Sequence, residues 1–221
     1  MNLAEVLREA EAKLRAGDPL AAERALATLW ADTSKAPGEA LHLLGLIRRA
    51  QGRTPEAERY LRRAIAVQPN APAHHAALGE LLASVRLHAP ALDAYAEALR
   101  LQPDNIPAGM AYARCALEAG RHGDAERALR RVVARAPSAE AWETLSRALA
   151  QQDRLEDALA AIGAALELQP ASFSARIARA NLLARLGRNE DALATLNALA
   201  AEGRAAPALA FSRGSALFNL A

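Results

Sequence analysis

Along most of the chain, apolar residues recur every three or four positions and are interrupted by short polar turns, the spacing of amphipathic helices that each bury one face. The segment "RRAIAVQPN", residues 62 to 70, closes one such run with Gln68-Pro69 and a polar residue. The phrase returns as "EALRLQPDN" at 97 to 105 and as "GAALELQPAS" at 163 to 172. Pro69, Pro103 and Pro137 lie 34 residues apart, and Pro170 follows 33 later. Midway through each interval comes a glycine-containing or polar turn: "AQGRTPEA" at 50, "SVRLHAPA" at 84, "EAGRHGDA" at 118, "QQDRLEDA" at 151 and "RLGRNEDA" at 185. Each interval therefore predicts two helices. Gly52, Gly120 and Gly187 sit where a helix must stop, and Thr54-Pro55 supplies a cap followed by proline at the first helical position. The proline after the second helix breaks the pattern before the next unit begins.

Small residues recur at fixed places inside this period. Gly45, Gly79, Ala113, Ser146 and Ala180 align in the first helices, and Ala57, Ala91, Ala125, Ala158 and Ala192 in the second. Seven residues after the latter come Ala64, Ala98, Val132, Ala165 and Leu199. A residue without bulk lets two antiparallel helices approach closely, and large apolar residues nearby fill the space on either side. Leu44, Leu78, Tyr112 and Leu145 have that role in the first helices, as do Leu61, Tyr95, Leu129 and Ile162 in the second.

With its period and its small and large positions matched almost residue by residue, the chain resembles the tetratricopeptide repeat (TPR) family. The resemblance implies an all-α fold, a right-handed α-solenoid of antiparallel helix-turn-helix repeats (a TPR superhelix). Five units are expected at 38–71, 72–105, 106–138, 139–172 and 173–206. A degenerate hairpin over 1–37 precedes them, keeping the pattern through Ala10, Gly17, Ala22 and Leu26. Residues 207–221 read as the first helix of a truncated further repeat, with Phe211, Leu217, Phe218 and Leu220 against a single charge, Arg213. That composition is a poor terminal cap, so the natural protein is expected to continue.

Composition narrows the function. Hydrophobic residues make up 52% of the 221 but aromatics only 4%, an excess of alanine and leucine that favours helix over strand. Lys plus Arg is 27 against 25 Asp plus Glu, so a net charge of +2 gives no field to steer nucleic acid or an acidic membrane. Arginine doublets such as Arg62-Arg63 and Arg130-Arg131 are interleaved with acids, and few aromatics exist to stack bases, which argues against nucleic acid. No run of about 18 uncharged apolar residues predicts a membrane span. One cysteine, Cys115, permits no intrachain disulfide, and the charged amino terminus lacks the apolar core of a secretory signal, so a cytoplasmic protein is expected.

Catalytic and metal motifs are not visible in the sequence, and no cofactor is expected. His74 and His75 are adjacent on a helix and point about 100° apart, so they read as a surface pair that cannot share a metal. His88 and His122 fall in turns and read as solvent-exposed. Cys115 sits on the apolar side of its helix and reads as a buried structural thiol. Glu58 with Arg62 and Glu126 with Arg130 are helix-supporting pairs at i,i+4.

The family resemblance assigns positions 2, 5, 9 and 12 of each first helix to a concave groove. Partner-binding candidates are then His42, Leu46, Arg49, Ala76, Glu80, Met110, Arg114, Leu117, Glu143, Arg147, Ile177 and Asn181, with Arg185 just beyond the last of these positions. Leu46, Met110, Leu117 and Ile177 are expected to be spare of the core and open to a ligand. Arg49, Arg114, Arg147 and Arg185 are expected to face Glu80 and Glu143, giving a groove that selects register on a mixed-charge protein or peptide. The Lys, Asn and Arg clamp by which some family members hold chaperone tails is missing, with His42, Leu46 and Ala77 at its positions. Of the asparagine ladder of the O-linked sugar transferases only Asn181 resembles a rung. A protein-interaction module, a scaffold or adaptor, is the first expectation. The alternative is the substrate-recruiting arm of a larger protein-modifying enzyme, a glycosyltransferase, sulfotransferase or 2-oxoglutarate/Fe(II) oxygenase, as in bacterial proteins similar to this one. A third reading is self-association through the array ends.

Overall fold

A computed structural model of the chain describes residues 2–28, 35–202, 210 and 212–213. Among them are twelve helices and no strand: α1 (Leu3–Arg15), α2 (Pro19–Ala27), α3 (Gly38–Ala50), α4 (Thr54–Val67), α5 (Pro72–Ser84), α6 (His88–Leu101), α7 (Ile106–Glu118), α8 (His122–Arg135), α9 (Ala139–Ala150), α10 (Leu155–Leu168), α11 (Phe173–Arg185) and α12 (Asn189–Ala201). The chain divides into two compact units, residues 1–115 and 116–221. The segment 207–221, read as a cut-off helix, lies outside the described residues except at 210, 212 and 213.

In the first unit α1 packs on α2, α3 on α4 and α5 on α6, and each hairpin also meets the next through α2 with α3 and α4 with α5. The second unit repeats the scheme with α9 on α10 and α11 on α12, joined through α10 and α11. No hairpin buries its apolar face alone, so each completes its neighbour's core. Val6, Ala10, Leu26, Leu41, Ile47 and Tyr60 come from four different helices and form one cluster. Ala180, Leu183, Leu196 and Leu199 centre another in the second unit.

The small residues lie at the closest helix contacts. Ala57, Ala91, Ala125, Ala158 and Ala192 are all fully buried. A Cβ added at Gly45 would stand 2.7 Å from Leu61 Cγ, and one at Gly79 would stand 2.8 Å from Tyr95 Cδ1. Ser146 holds the same place in α9 and uses its hydroxyl, which donates to the Ala158 carbonyl at 2.8 Å. At Gly38, the first residue of α3, an added Cβ would meet Gln68 Oε1 at 2.3 Å.

Turns between paired helices need one residue in the left-handed region. Gly52, Gly120 and Gly187 supply it with φ of 74°, 72° and 76°, while Arg86 and Asp153 adopt φ of 60° and 58° without that freedom. Four second helices then begin alike. An arginine at the cap position bonds the acid three residues on, as in Arg53 to Glu56, Arg121 to Asp124, Arg154 to Asp157 and Arg188 to Asp191. This places a carboxylate in the first turn, where the helix dipole favours it. In α6 the two positions are Leu87 and Pro90, and Leu87 is exposed.

Buried polar links tie hairpins together. Arg48, 9% exposed, donates from Nη2 to Glu23 at 2.7 Å and from Nη1 to Gln51 at 2.8 Å, and Gln51 donates to the other Glu23 oxygen at 2.9 Å. Its Nε lies 3.3 Å from Glu56 without hydrogen-bond alignment, so that contact is electrostatic only. The second unit uses a similar link: Gln152 and Arg154 both reach the Glu126 carboxylate, at 2.9 and 2.8 Å, while Arg130 bonds it from its own helix.

Candidate functional site

In the second unit, α9 and α11 line an open groove of about 390 Å³. Glu140, Glu143, Thr144, Ser146, Arg147 and Ala150 face it from α9, and Ser174, Ala178, Asn181, Leu182 and Arg185 from α11. Two sets of contacts show that the helices run in the same direction along it. At one end Glu143 accepts from Ser172 and Ser174, both at 2.9 Å. At the other, Arg185 donates to the Ala150 carbonyl and to Asp153, both at 3.1 Å.

Sharing Glu143 between two hydroxyls fixes its carboxylate and leaves it without an arginine partner, contrary to the expectation that it faces one. Arg147, one turn further along α9, is exposed, and its side chain makes no hydrogen bond or ion pair among the described residues. The same holds for Asn181 on α11. Arg185 is held, but by an Asp153 whose side chain is 86% exposed, so water competes for that pair. The fold therefore leaves two side chains in this groove with unspent hydrogen-bonding capacity and a third only loosely engaged.

Four of the sequence-selected residues, Glu143, Arg147, Asn181 and Arg185, come together here. Ile177 does not. It is 9% exposed and belongs to the core cluster of the second unit, so the expectation that it is spare of packing is corrected. One position on, Ala178 takes its place in the lining. Thr144, Ala178 and Leu182 were not selected by the sequence. Their signal is that each lies four residues after a residue at the groove spacing or its neighbour, and so shares its helix face.

In the first unit the selected residues of α3 and α5 engage one another. Arg49 Nη1 and Glu80 Oε2 are 2.6 Å apart, as the alternation of charge predicts. His42 stacks against His74 with ring centroids 4.9 Å apart. This corrects the reading of His74 as a surface residue: it is 4% exposed, with Nε2 2.9 Å from the side-chain oxygen of Gln68. Gln68 also donates to Glu39 of its own hairpin at 2.7 Å, so the glutamine of the recurring Gln-Pro phrase joins that hairpin here to His74 of the next. Burial, aided by His74 and Arg49, pushes the His42 imidazole down to about 4. Burial also lowers His74, with Glu39 acting against it. The Nδ1 atoms of both rings are buried with no hydrogen-bond partner.

The apolar candidates of this unit are not spare either. Met110 is 8% exposed, and Leu46 is half-buried against the first core cluster. A helix face that lines a concavity also leans on the next helix, so long side chains there are consumed by packing. Ala76 is half-buried, Glu80 and Arg114 are exposed, and Leu117, at the start of the second unit, is half-buried. His88 and His122 are half-buried first residues of helices rather than solvent-exposed turn residues. The Nδ1 of His88 lies 3.8 Å from Cys115 Sγ, and that thiol, 3% exposed, also meets the His88 carbonyl at 3.7 Å.

Such hairpins, stacked so that parallel first helices line a groove, define a non-catalytic all-α solenoid scaffold of the kind used for protein interaction. Sequence profiles of the tetratricopeptide repeat match residues 42–106, 88–149 and 144–210, and the chain belongs to that family. No curated protein sequence matches it. Among solved structures it is similar to residues 41 to the end of MamA from Desulfovibrio magneticus, at 22% identity and a TM-score of 0.68 over 72% of this chain and 91% of that one. A tetratricopeptide repeat protein from Parabacteroides merdae gives 18% identity and a TM-score of 0.74, covering 96% and 84%. YrrB, described as a TPR protein with an unusual peptide-binding site, gives 18% and 0.67, covering 75% and 86%. Among the described residues no helix is long and apolar enough to cross a membrane.

Proposed function

We propose that the chain is a scaffold or adaptor that holds a peptide segment of a partner protein in the groove between α9 and α11. What supports this reading is that Arg147 and Asn181 point into that groove and are used by nothing in the fold. Exposed polar groups that the fold does not need are available to a ligand, and a groove of about 390 Å³ accommodates a few residues of extended chain. The peptide-binding site named for YrrB is in keeping with this use of the fold. A cytoplasmic location belongs to the same proposal and suits a chain whose single cysteine is a buried thiol outside any disulfide.

The test is to select random displayed heptapeptides on the immobilised full chain and compare it with Ala178→Trp, whose indole fills the groove floor. Peptides enriched on the wild-type chain should lose binding to the variant while both chains unfold at similar temperatures. If no peptide is enriched, or enrichment is indifferent to Ala178→Trp, the groove is not the binding surface.

A further inference from the structure

The charges of the α9–α11 groove are sorted by end. Glu143 lies toward the start of α9, joined there by Ser174 from α11. Arg147 lies one turn later, and Arg185 reaches the far end beside Ala150. Four residues of α-helix advance about 6 Å along the axis. In an extended peptide, side chains on one face recur at about 6.6 Å, two residues apart. The acidic and basic stations of the groove therefore match the stride of a strand laid along it.

From this match we infer that the groove selects a peptide carrying opposite charges two residues apart, a lysine or arginine at Glu143 and a carboxylate at Arg147 and Arg185. The inference rests on the groove reading above and specifies its ligand. Arg147 is free to form a charge-assisted bond at no cost to the fold, and Arg185 can turn from a solvated Asp153 to a better-placed acid. Asn181, one turn before Arg185 on α11, offers both a donor and an acceptor to the peptide main chain. The anion is a carboxylate rather than a phosphate, because Glu143, a single turn from Arg147, opposes a second negative charge at that station. A like-charged pair would place one member against its own sign, so the two stations also set the direction in which the peptide lies.

Sequencing the peptides enriched on the full chain tests this. A basic and an acidic residue two positions apart should dominate the pool, and changing the acid of the best peptide to its amide should weaken binding roughly tenfold, about 1.4 kcal/mol. On Arg147→Glu, an exposed substitution that leaves folding intact, the acid of the selected pair should give way to a base. A pool that depends on Ala178 but lacks the pair, or does not change on Arg147→Glu, overturns this inference and leaves the groove as the binding surface. A best peptide bound more tightly with phosphoserine in place of its acid overturns the carboxylate assignment. If nothing enriched depends on Ala178, the groove reading falls, and this inference with it.

Discussion

His42 and His74, from the first helices of successive hairpins, lie ring against ring at 4.9 Å, and neither can take up a proton without placing charge in a buried seam. A histidine in the unfolded chain titrates near 6.5, whereas His42 in the fold titrates near 4. Between those values the unfolded state binds the extra proton, so stability is complete above about pH 6.5 and falls as the pH drops toward 4. The charged groups facing the pair are Glu39, Arg49 and His75. The melting temperature followed from pH 7.5 to 4 should decline for the wild-type chain and decline less for His42→Leu. Equal slopes would show that the pair does not carry the effect.

A second acid-sensitive seam works at lower pH. Glu23, bonded to Arg48 and Gln51, is held down at about 2 against an ordinary value of 4.5, so its contribution is present above about 4.5 and lost as the pH falls toward 2. Arg48→Met should cost about 2 kcal/mol at pH 7, because the substitution leaves Glu23 and Glu56 without their shared cation, and it should flatten the loss between pH 4.5 and 2. Denaturant unfolding at pH 7 and pH 3 measures both.

Three glycines inside helices should respond to alanine with opposite signs. Gly79→Ala drives a methyl group into the Tyr95 ring and Gly45→Ala into Leu61, each expected to cost about 1–3 kcal/mol. Gly163, mid-way along α10, has nothing within 4 Å of an added Cβ, so Gly163→Ala should gain about 0.5–1 kcal/mol from helix propensity alone. Urea midpoints of the three variants decide the matter.

Arg86 holds a left-handed turn conformation that glycine holds in four sister turns, at Gly17, Gly52, Gly120 and Gly187. Arg86→Gly should therefore stabilise the chain by about 1 kcal/mol, or raise its melting temperature by about 2–4 °C. Asp153→Gly should gain less, since aspartate tolerates the conformation better and this one also bonds Arg185.

Legibility in the sequence followed the size and chemistry of each residue. Prolines, turn glycines and buried alanines act locally, so their spacing already placed helices and close contacts: Gly52, Gly120 and Gly187 all take positive φ, and the aligned alanines of the second helices are fully buried. Long side chains on the groove face were less legible. The family resemblance assigned Met110 and Ile177 to that face, but nothing in their spacing could show that packing buries them. His74 was misread for the same reason, because its ring is buried by His42 and Gln68, which lie in other elements. Arg147 and Asn181 were readable because an exposed polar residue at a groove position needs no neighbour to put it there.

The close fit of Gly38 against the Gln68 carboxamide bears on how far these repeats are exchangeable parts. Later hairpins open with Pro72, Ile106, Ala139 and Phe173 at the place where the α3–α4 hairpin has glycine. Helices from another hairpin, grafted here with Gln68 left in place, would bring a side chain into space that Gln68 already fills, so they have to carry their own joint residue with them. The unit of inheritance in this array is therefore a hairpin together with the residue that closes it, and a designer shuffling the repeats should cut the chain after the Gln-Pro joint, keeping the two together.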